Sequence, residues 1–336
     1  MQATILLVTF ADQPRRYKAI FYLLQGKQTI SNLFAGQEYD LLNQFHLYPN
    51  LKWSDYQASL RELAQAGLVT LDSKQALVTL TAAGQTAREQ LLARDFWPRA
   101  YDYWRMGAAL TQWTRLLLAV QVVSNLDHQI KHYQPLTESI NVQGHVKRWL
   151  RRWGRQGSQG LARELGQAFN ALPPRTALII ANSFWSDYDP GVSAGSLAQA
   201  LGLTAAELPL AQIDCLGQLL TFVHGHAAAY PVLAQLLPVP ASPLNASAGW
   251  TYQQVLSGKS WTKLTHDSRL KASTLKEHLL QAAILCPDFA LTAPAIQQLL
   301  TLDPDGYFSQ RIQELTALGQ FQTTAQSSQQ GGVTHD

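Results

Sequence analysis

The run Gly258-Lys-Ser-Trp-Thr-Lys-Leu-Thr-His-Asp-Ser-Arg-Leu-Lys-Ala-Ser-Thr-Leu-Lys-Glu-His-Leu279, continuing to Leu285, decides how this chain is read. Gly258 stops a short helix built around Tyr252, Val255 and Leu256, and Ser260 is positioned to cap the next one. That second helix carries Trp261, Leu264 and Thr265, and Arg269-Leu-Lys-Ala272 then breaks the period as a turn. Ser273 and Thr274 are both good N-cap residues, and Thr274 with Glu277 three positions on fits a capping box, so a third helix is expected to start there. Leu275, Leu279, Ala282 and Leu285 or Cys286 give it an apolar face, with Lys276, His278 and Gln281 on other faces, and Pro287 ends it.

Two short helices joined by a four-residue turn read as a helix-turn-helix, in which the start of the second helix meets base edges and its free N–H groups favour phosphate. The residues expected at DNA are Lys259, Lys263, Arg269, Lys271, Ser273, Thr274, Lys276 and His278. Between positions 259 and 278 five Lys or Arg stand against two acids, a modest local excess. A helical hairpin that only packs, or that binds protein, fits the same periodicity.

The segment Ser260 to Leu279 resembles the helicase-associated helix-turn-helix at the C-terminal ends of some RecQ-type helicases. It is similar, too, to the module that closes YpbB-like proteins of low-GC Gram-positive bacteria, chains of about this length that lack a motor. The resemblance implies an accessory DNA-binding partner of a RecQ-like helicase, which spacing and composition alone do not show.

Beyond that segment the chain reads as a mainly α protein in several parts. Its 336 residues exceed the usual size of a single core. A net charge of only +3 means that nucleic-acid affinity has to come from local patches rather than a bulk field. Cys215 and Cys286, far apart, form no disulfide framework and suit a reducing cytoplasm. The opening apolar run Met1 to Phe10 is too short to span a bilayer and meets Asp12 at once, so it is expected to pack inside.

Residues 1–92 carry a winged-helix pattern. Pro14 suits a first helical position; a stripe of Ile20, Phe21, Leu23 and Leu24 ends at Gly26. A second helical region is expected around Leu33 to Phe45, and a third helix capped by Ser54 with Tyr56, Leu60 and Leu63 inward. Leu68–Leu71 and Ala76–Leu80 then read as the two strands of a wing, and Thr81 opens a further helix. With eight basic and seven acidic residues between Asp12 and Leu92, and Asp55, Gln57, Ser59, Arg61 and Glu62 expected outward on the third helix, this part offers little to DNA and suits protein docking or dimerisation.

Residues 93–237 read as a helical middle domain, 238–249 as a proline-rich linker, 250–322 as the helicase-type helix-turn-helix domain and 323–336 as a disordered polar tail. The linker would let the C-terminal module move against the body. The middle domain holds the densest basic cluster, with no acid from 145 to 155. On a helix Lys147 with Arg151, and Arg148 with Arg152 and Arg155, form adjoining rows, while Trp149 and Trp153 stand at i, i+4. Charge beside flat rings is what single-stranded nucleic acid requires; tryptophans buried against neighbouring helices are the plainer alternative.

Other constellations are weaker. Gly258-Lys-Ser260 has Gln253 where a phosphate-binding loop needs glycine. Cys215, His224 and His226 lack the spacing of a zinc site, and Asp187 and Asp189 are more simply a turn before Pro190-Gly191 than paired catalytic carboxylates. No enzyme activity, cofactor or metal is expected. The expectation is a cytoplasmic, DNA-binding partner of a RecQ-like helicase in repair or recombination, with a sequence-specific transcription regulator as the alternative use of the same modules.

Overall fold

The computed structural model of the protein describes residues 2–303 and 305–321. Those residues are mainly helical and divide into two compact units. One unit takes the chain up to Lys27 and from Leu41 to Pro240; the other takes Gln28–Asp40 and the described residues from Ala241 on. The polar tail from 323 lies outside the described residues.

The first unit opens with a 3-10 turn, Ala3–Thr9, whose Ala3, Ile5, Leu6, Leu7 and Val8 are buried, as the apolar opening run predicts. Strand β1 (Arg15–Arg16) leads into α1 (Tyr17–Gln25), which ends at Gly26 with φ 85°. Pro14 therefore precedes a short strand, not a helix: Arg15 and Arg16 pair antiparallel with Val78 and Leu77. Helix α2 (Ile30–Glu38) belongs to the second unit, while α3 (Trp53–Gln65) returns to the first. The second helical region thus ends at Glu38, well short of Phe45, because Asp40 turns left-handed (φ 54°) and Leu42–Gln44 form only a 3-10 turn.

Strands β2 (Val69–Asp72) and β3 (Leu77–Leu80) pair with Val69 opposite Leu80, giving a three-stranded sheet in the order β1-β3-β2. Asp72 Oδ1 accepts from the Lys74 and Gln75 amides and closes the turn between them. Helix α4 (Ala82–Leu92) starts, as expected, on a Thr81 hydroxyl that accepts from Gly84 N–H. Ser54 does not cap α3, whose N-cap is Lys52, two residues earlier, and Ser59 is buried with Tyr56, Leu60 and Leu63 instead of facing out. Fully buried Phe10, Phe45 and Phe96 each stabilise this core by roughly 1.5–3 kcal/mol.

The rest of the first unit is α5 (Tyr103–Met106), α6 (Ala109–Asp127), α7 (Ile140–Ala171), α8 (Pro174–Ala181), α9 (Ala194–Ala200), α10 (Leu208–Gly225) and α11 (Pro231–Leu236). Gly154 breaks α7 with φ 54° and ψ −139°, a conformation that a side chain would strain. Gly160 lets α11 approach closely, since a Cβ there would lie 2.8 Å from Val232 Cγ2.

In the second unit α2 is joined by α12 (Ala246–Leu256), α13 (Trp261–Asp267), α14 (Ala272–Leu285), α15 (Pro294–Leu302) and α16 (Tyr307–Ala317). Helix α14 lies at the centre, against α12, α16 and α2, and α13 packs on α15. Arg311 of α16 places its guanidinium 4.8 Å from the Phe34 ring of α2, and Gln37 donates to Gln320 at 2.7 Å. Among the described residues no helix is long and apolar enough to cross a membrane.

Candidate nucleic-acid interface

Helix α11 determines which face of α7 remains open. Buried Glu164 of α7 accepts from the Val232 and Leu233 amides at 3.3 and 2.9 Å, satisfying the free N–H groups at the start of α11. At the other end His145 Nε2 donates to Leu236 O at 2.8 Å. Between them Trp149 donates to Val232 O at 3.0 Å and Trp153 to Gln235 Oε1 at 2.5 Å. Both tryptophans are therefore held against α11, Trp149 buried and Trp153 half-buried, and neither is a free platform for a base. Of the two readings of this cluster, packing holds for the aromatic residues.

The cations lie on the opposite side. Lys147, Arg148, Arg151 and Arg152 are all exposed. At about 100° per residue they sweep an arc of about 140°, with about 6 Å of rise between Lys147 and Arg151 and between Arg148 and Arg152. None of the four makes an ion pair among the described residues. Nothing is described for the side chain of Arg155, the fifth residue expected here. Four unpaired cations on one face can neutralise successive phosphates and release their counterions.

The second candidate surface differs from its expectation. Gly258 (φ 83°) stops α12, and Ser260 Oγ accepts from Lys263 N–H at 3.3 Å to cap α13, both as read from the sequence. Helix α14, however, starts on Lys271 without a side-chain cap, so Ser273 and Thr274 lie inside its first turn and the Thr274–Glu277 capping box is not formed. Nine of its fourteen residues are buried, Lys276 among them. The Lys276 ammonium donates to Asp303 at 2.6 Å and to Asp305 at 2.9 Å, with 9% of the side chain accessible. Burial works against its charge, but the two carboxylates outweigh that effect and raise its pKa. Lys276 is an internal ion-pair residue, not a contact for DNA.

His278 also turns inward, its Nδ1 2.8 Å from Thr251 Oγ1 of α12, and burial lowers its pKa. Lys259 is paired with Asp267 at 3.5 Å. Lys263, Arg269, Lys271 and Ser273 stay exposed and Thr274 half-exposed, so the outward set reduces to the turn and the first residues of α14. A sequence signal for the inward Lys276 was present: Leu280 and Ala283, at i+4 and i+7, extend the apolar surface of α14 to a second face.

The remaining constellations are local. Cys215 is buried and its thiol is pushed up to about 12, first by burial. His224 bonds Leu237 O and His226 bonds Phe222 O, each at 2.8 Å. Asp189 closes the turn at Pro190-Gly191, accepting from Gly191 N–H at 2.9 Å. Asp187 is held by Asn125, which donates to it at 2.8 Å.

Arg115 of α6 was not found from the sequence, where it reads as one polar position in an apolar run. It lies close enough to α7 for the charge of Arg148 to act on it.

The chain is similar to Protein YpbB of Bacillus subtilis. Identity is 23% over 82% of this chain and 80% of the relative, so the likeness runs through both units and extends beyond the C-terminal segment that first suggested it. No family model and no solved structure matches the chain.

Proposed function

We propose that this protein is a non-catalytic DNA-binding accessory partner of a RecQ-like DNA helicase in repair or recombination. The single observation that carries DNA binding is the row of exposed, unpaired cations on α7. The exposed Lys263, Arg269, Lys271 and Ser273 around the four-residue turn between α13 and α14 support a second, weaker contact of helix-turn-helix type. Two weak sites on one chain add by raising each other's local concentration. The helicase partner rests on the resemblance of Ser260–Leu279 to helicase-associated modules and on the overall likeness to YpbB.

The test is a pull-down of the tagged protein from extract of its own cells, treated with nuclease, followed by mass spectrometry. Recovery of a RecQ-like helicase supports the accessory role. Its absence, with the protein cleanly retained and binding one symmetric DNA sequence, replaces that role with transcription regulation.

A further inference from the structure

Beside the cation row on α7 lies a side chain from another helix. Arg115 of α6 is half-buried, donates from Nη1 to Gln112 Oε1 at 3.2 Å, and encloses an Nε that has no hydrogen-bond partner. Gln112 is itself fixed, its amide donating to Met106 O at 3.1 Å and to Pro238 O. His145 of α7 is fixed on the same stretch through Leu236 O. Helices α6 and α7 pack on each other, and Arg115 through Gln112 and His145 directly are both tied to the stretch from Leu236 to Pro238 where α11 ends, with Arg148 about one helical turn beyond His145.

These groups act on one another. Burial and then the charge of Arg148 lower the pKa of Arg115; burial and then Arg115, with a smaller part from Arg148, lower that of His145. No carboxylate pairs with Arg115 or Arg148 among the described residues. Two guanidinium groups near enough for their charges to oppose one another, with no carboxylate to offset them, are stabilised by an oxyanion shared between them.

We propose that Arg115 and Arg148, with His145 beside them, form a subsite for one backbone phosphate of a nucleic acid. Arg115 supplies the fixed fork and Arg148 the exposed one. Because α11 covers Trp149 and Trp153, the subsite reads phosphate without stacking a base, and binding through it is indifferent to sequence. The proposal rests on the nucleic-acid reading above and adds Arg115, which no spacing argument reaches.

The test uses the full-length protein, a labelled 20-nucleotide single strand and its duplex, and anisotropy titrations between 50 and 200 mM salt, run at sizes and concentrations of about that order. Arg115→Met is expected to weaken binding roughly tenfold at 0.1 M salt and to reduce the salt slope by about one, without loss of thermal stability. Arg115→Lys should restore the slope, and Arg61→Met, on exposed α3 surface, should change nothing. Binding by the wild type with the same affinity and slope in Arg115→Met overturns the subsite and leaves the DNA reading intact. No binding by the wild type overturns both. Inorganic phosphate, followed by the NMR shift of the His145 ring, separates sources of the anion. A millimolar response that DNA at far lower concentration reproduces supports a backbone phosphate; a response to phosphate that DNA does not compete for overturns it in favour of a free anion.

Discussion

Helix α7 carries a run of basic residues and α14 a single lysine, and α7 turns its cations to solvent whereas α14 turns its lysine to the interior. The difference is in their neighbours. Helix α7 is covered along one side by α11, which takes the tryptophans and leaves the opposite arc open. Helix α14 is enclosed by α2, α12 and α16, so beyond its first turn only Glu277 is fully exposed, and Lys276 finds its counter-charges in the segment between α15 and α16. A basic residue on a helix is available to a partner only where its own fold has not already neutralised it.

The largest effect is expected from removing the open row. Arg148→Gln, Arg151→Gln and Arg152→Gln together should weaken DNA binding by about a thousandfold at 0.1 M salt, roughly tenfold per lost phosphate contact, and flatten the salt dependence by two to three in slope, about 0.7–0.9 for each. Fold stability should stay within about 0.5 kcal/mol, because no native ion pair is removed. An unchanged titration would take the α7 face out of the interface and end the contrast with α14.

Next in size is the buried pair. Lys276→Met leaves Asp303, with 1% of its side chain accessible, without a counter-charge. Removing one partner of a buried pair costs about 3 kcal/mol or more, so α14 amides should exchange over a hundredfold faster. Acid probes the same cluster. The hydrogen bonds from Lys276 and from the Tyr307 amide hold the Asp305 carboxyl at about 2, below its ordinary 3.8. A depressed carboxylate stabilises the fold above its unfolded pKa, so protection of α14 should fall as pH drops from about 4 towards 2. The same amides in Lys276→Met should show a weaker dependence; equal pH profiles would mean that Lys276 is not what holds Asp305.

A smaller effect tests the exposed turn that leads into α14. Arg269→Gln or Lys271→Gln should each reduce affinity by up to about tenfold at 0.1 M salt and leave stability unchanged. Affinity within twofold of wild type for both would confine DNA contact to the first unit. Smallest is Trp153→Phe, which loses the bond to Gln235 and about 1 kcal/mol of stability while DNA affinity holds. A clear loss of affinity at full stability would instead make Trp153 a stacking residue.

Local signals in the chain were reliable where the partner was local. The stop at Gly258, the Ser260 and Thr81 caps, the β2–β3 pair and the neighbouring cations Lys147 with Arg151 and Arg148 with Arg152 all depend on residues within about a turn or a hairpin of one another, whereas the break at Gly154 separates Arg155 from its expected row. Signals failed where the partner was remote. Lys276 looked free because Asp303 and Asp305 lie 27 and 29 residues away. Thr274 looked like a cap because Lys271, which begins the helix, has no capping side chain to announce it. The tryptophans of α7 could be read either way until α11, some eighty residues on, was seen to occupy them. Arg115 had no signature, since its meaning comes entirely from Arg148 on the next helix.

The grouping of α2 with the C-terminal helices bears on how the gene can be cut. The second unit draws on two separate stretches of chain, so the backbone passes between units at Lys27–Gln28, Asp40–Leu41 and Pro240–Ala241, where a simple proline-rich tether would give one crossing. A fragment that begins at Ala241 encodes five of the six helices of its unit and omits α2, whose Leu33, Phe34 and Ala35 are buried in the intact chain. Such a fragment starts with an unsealed apolar wall, and a synthetic peptide spanning 28–40 becomes its natural complement. Exchange of this module between proteins would therefore require two coordinated insertions.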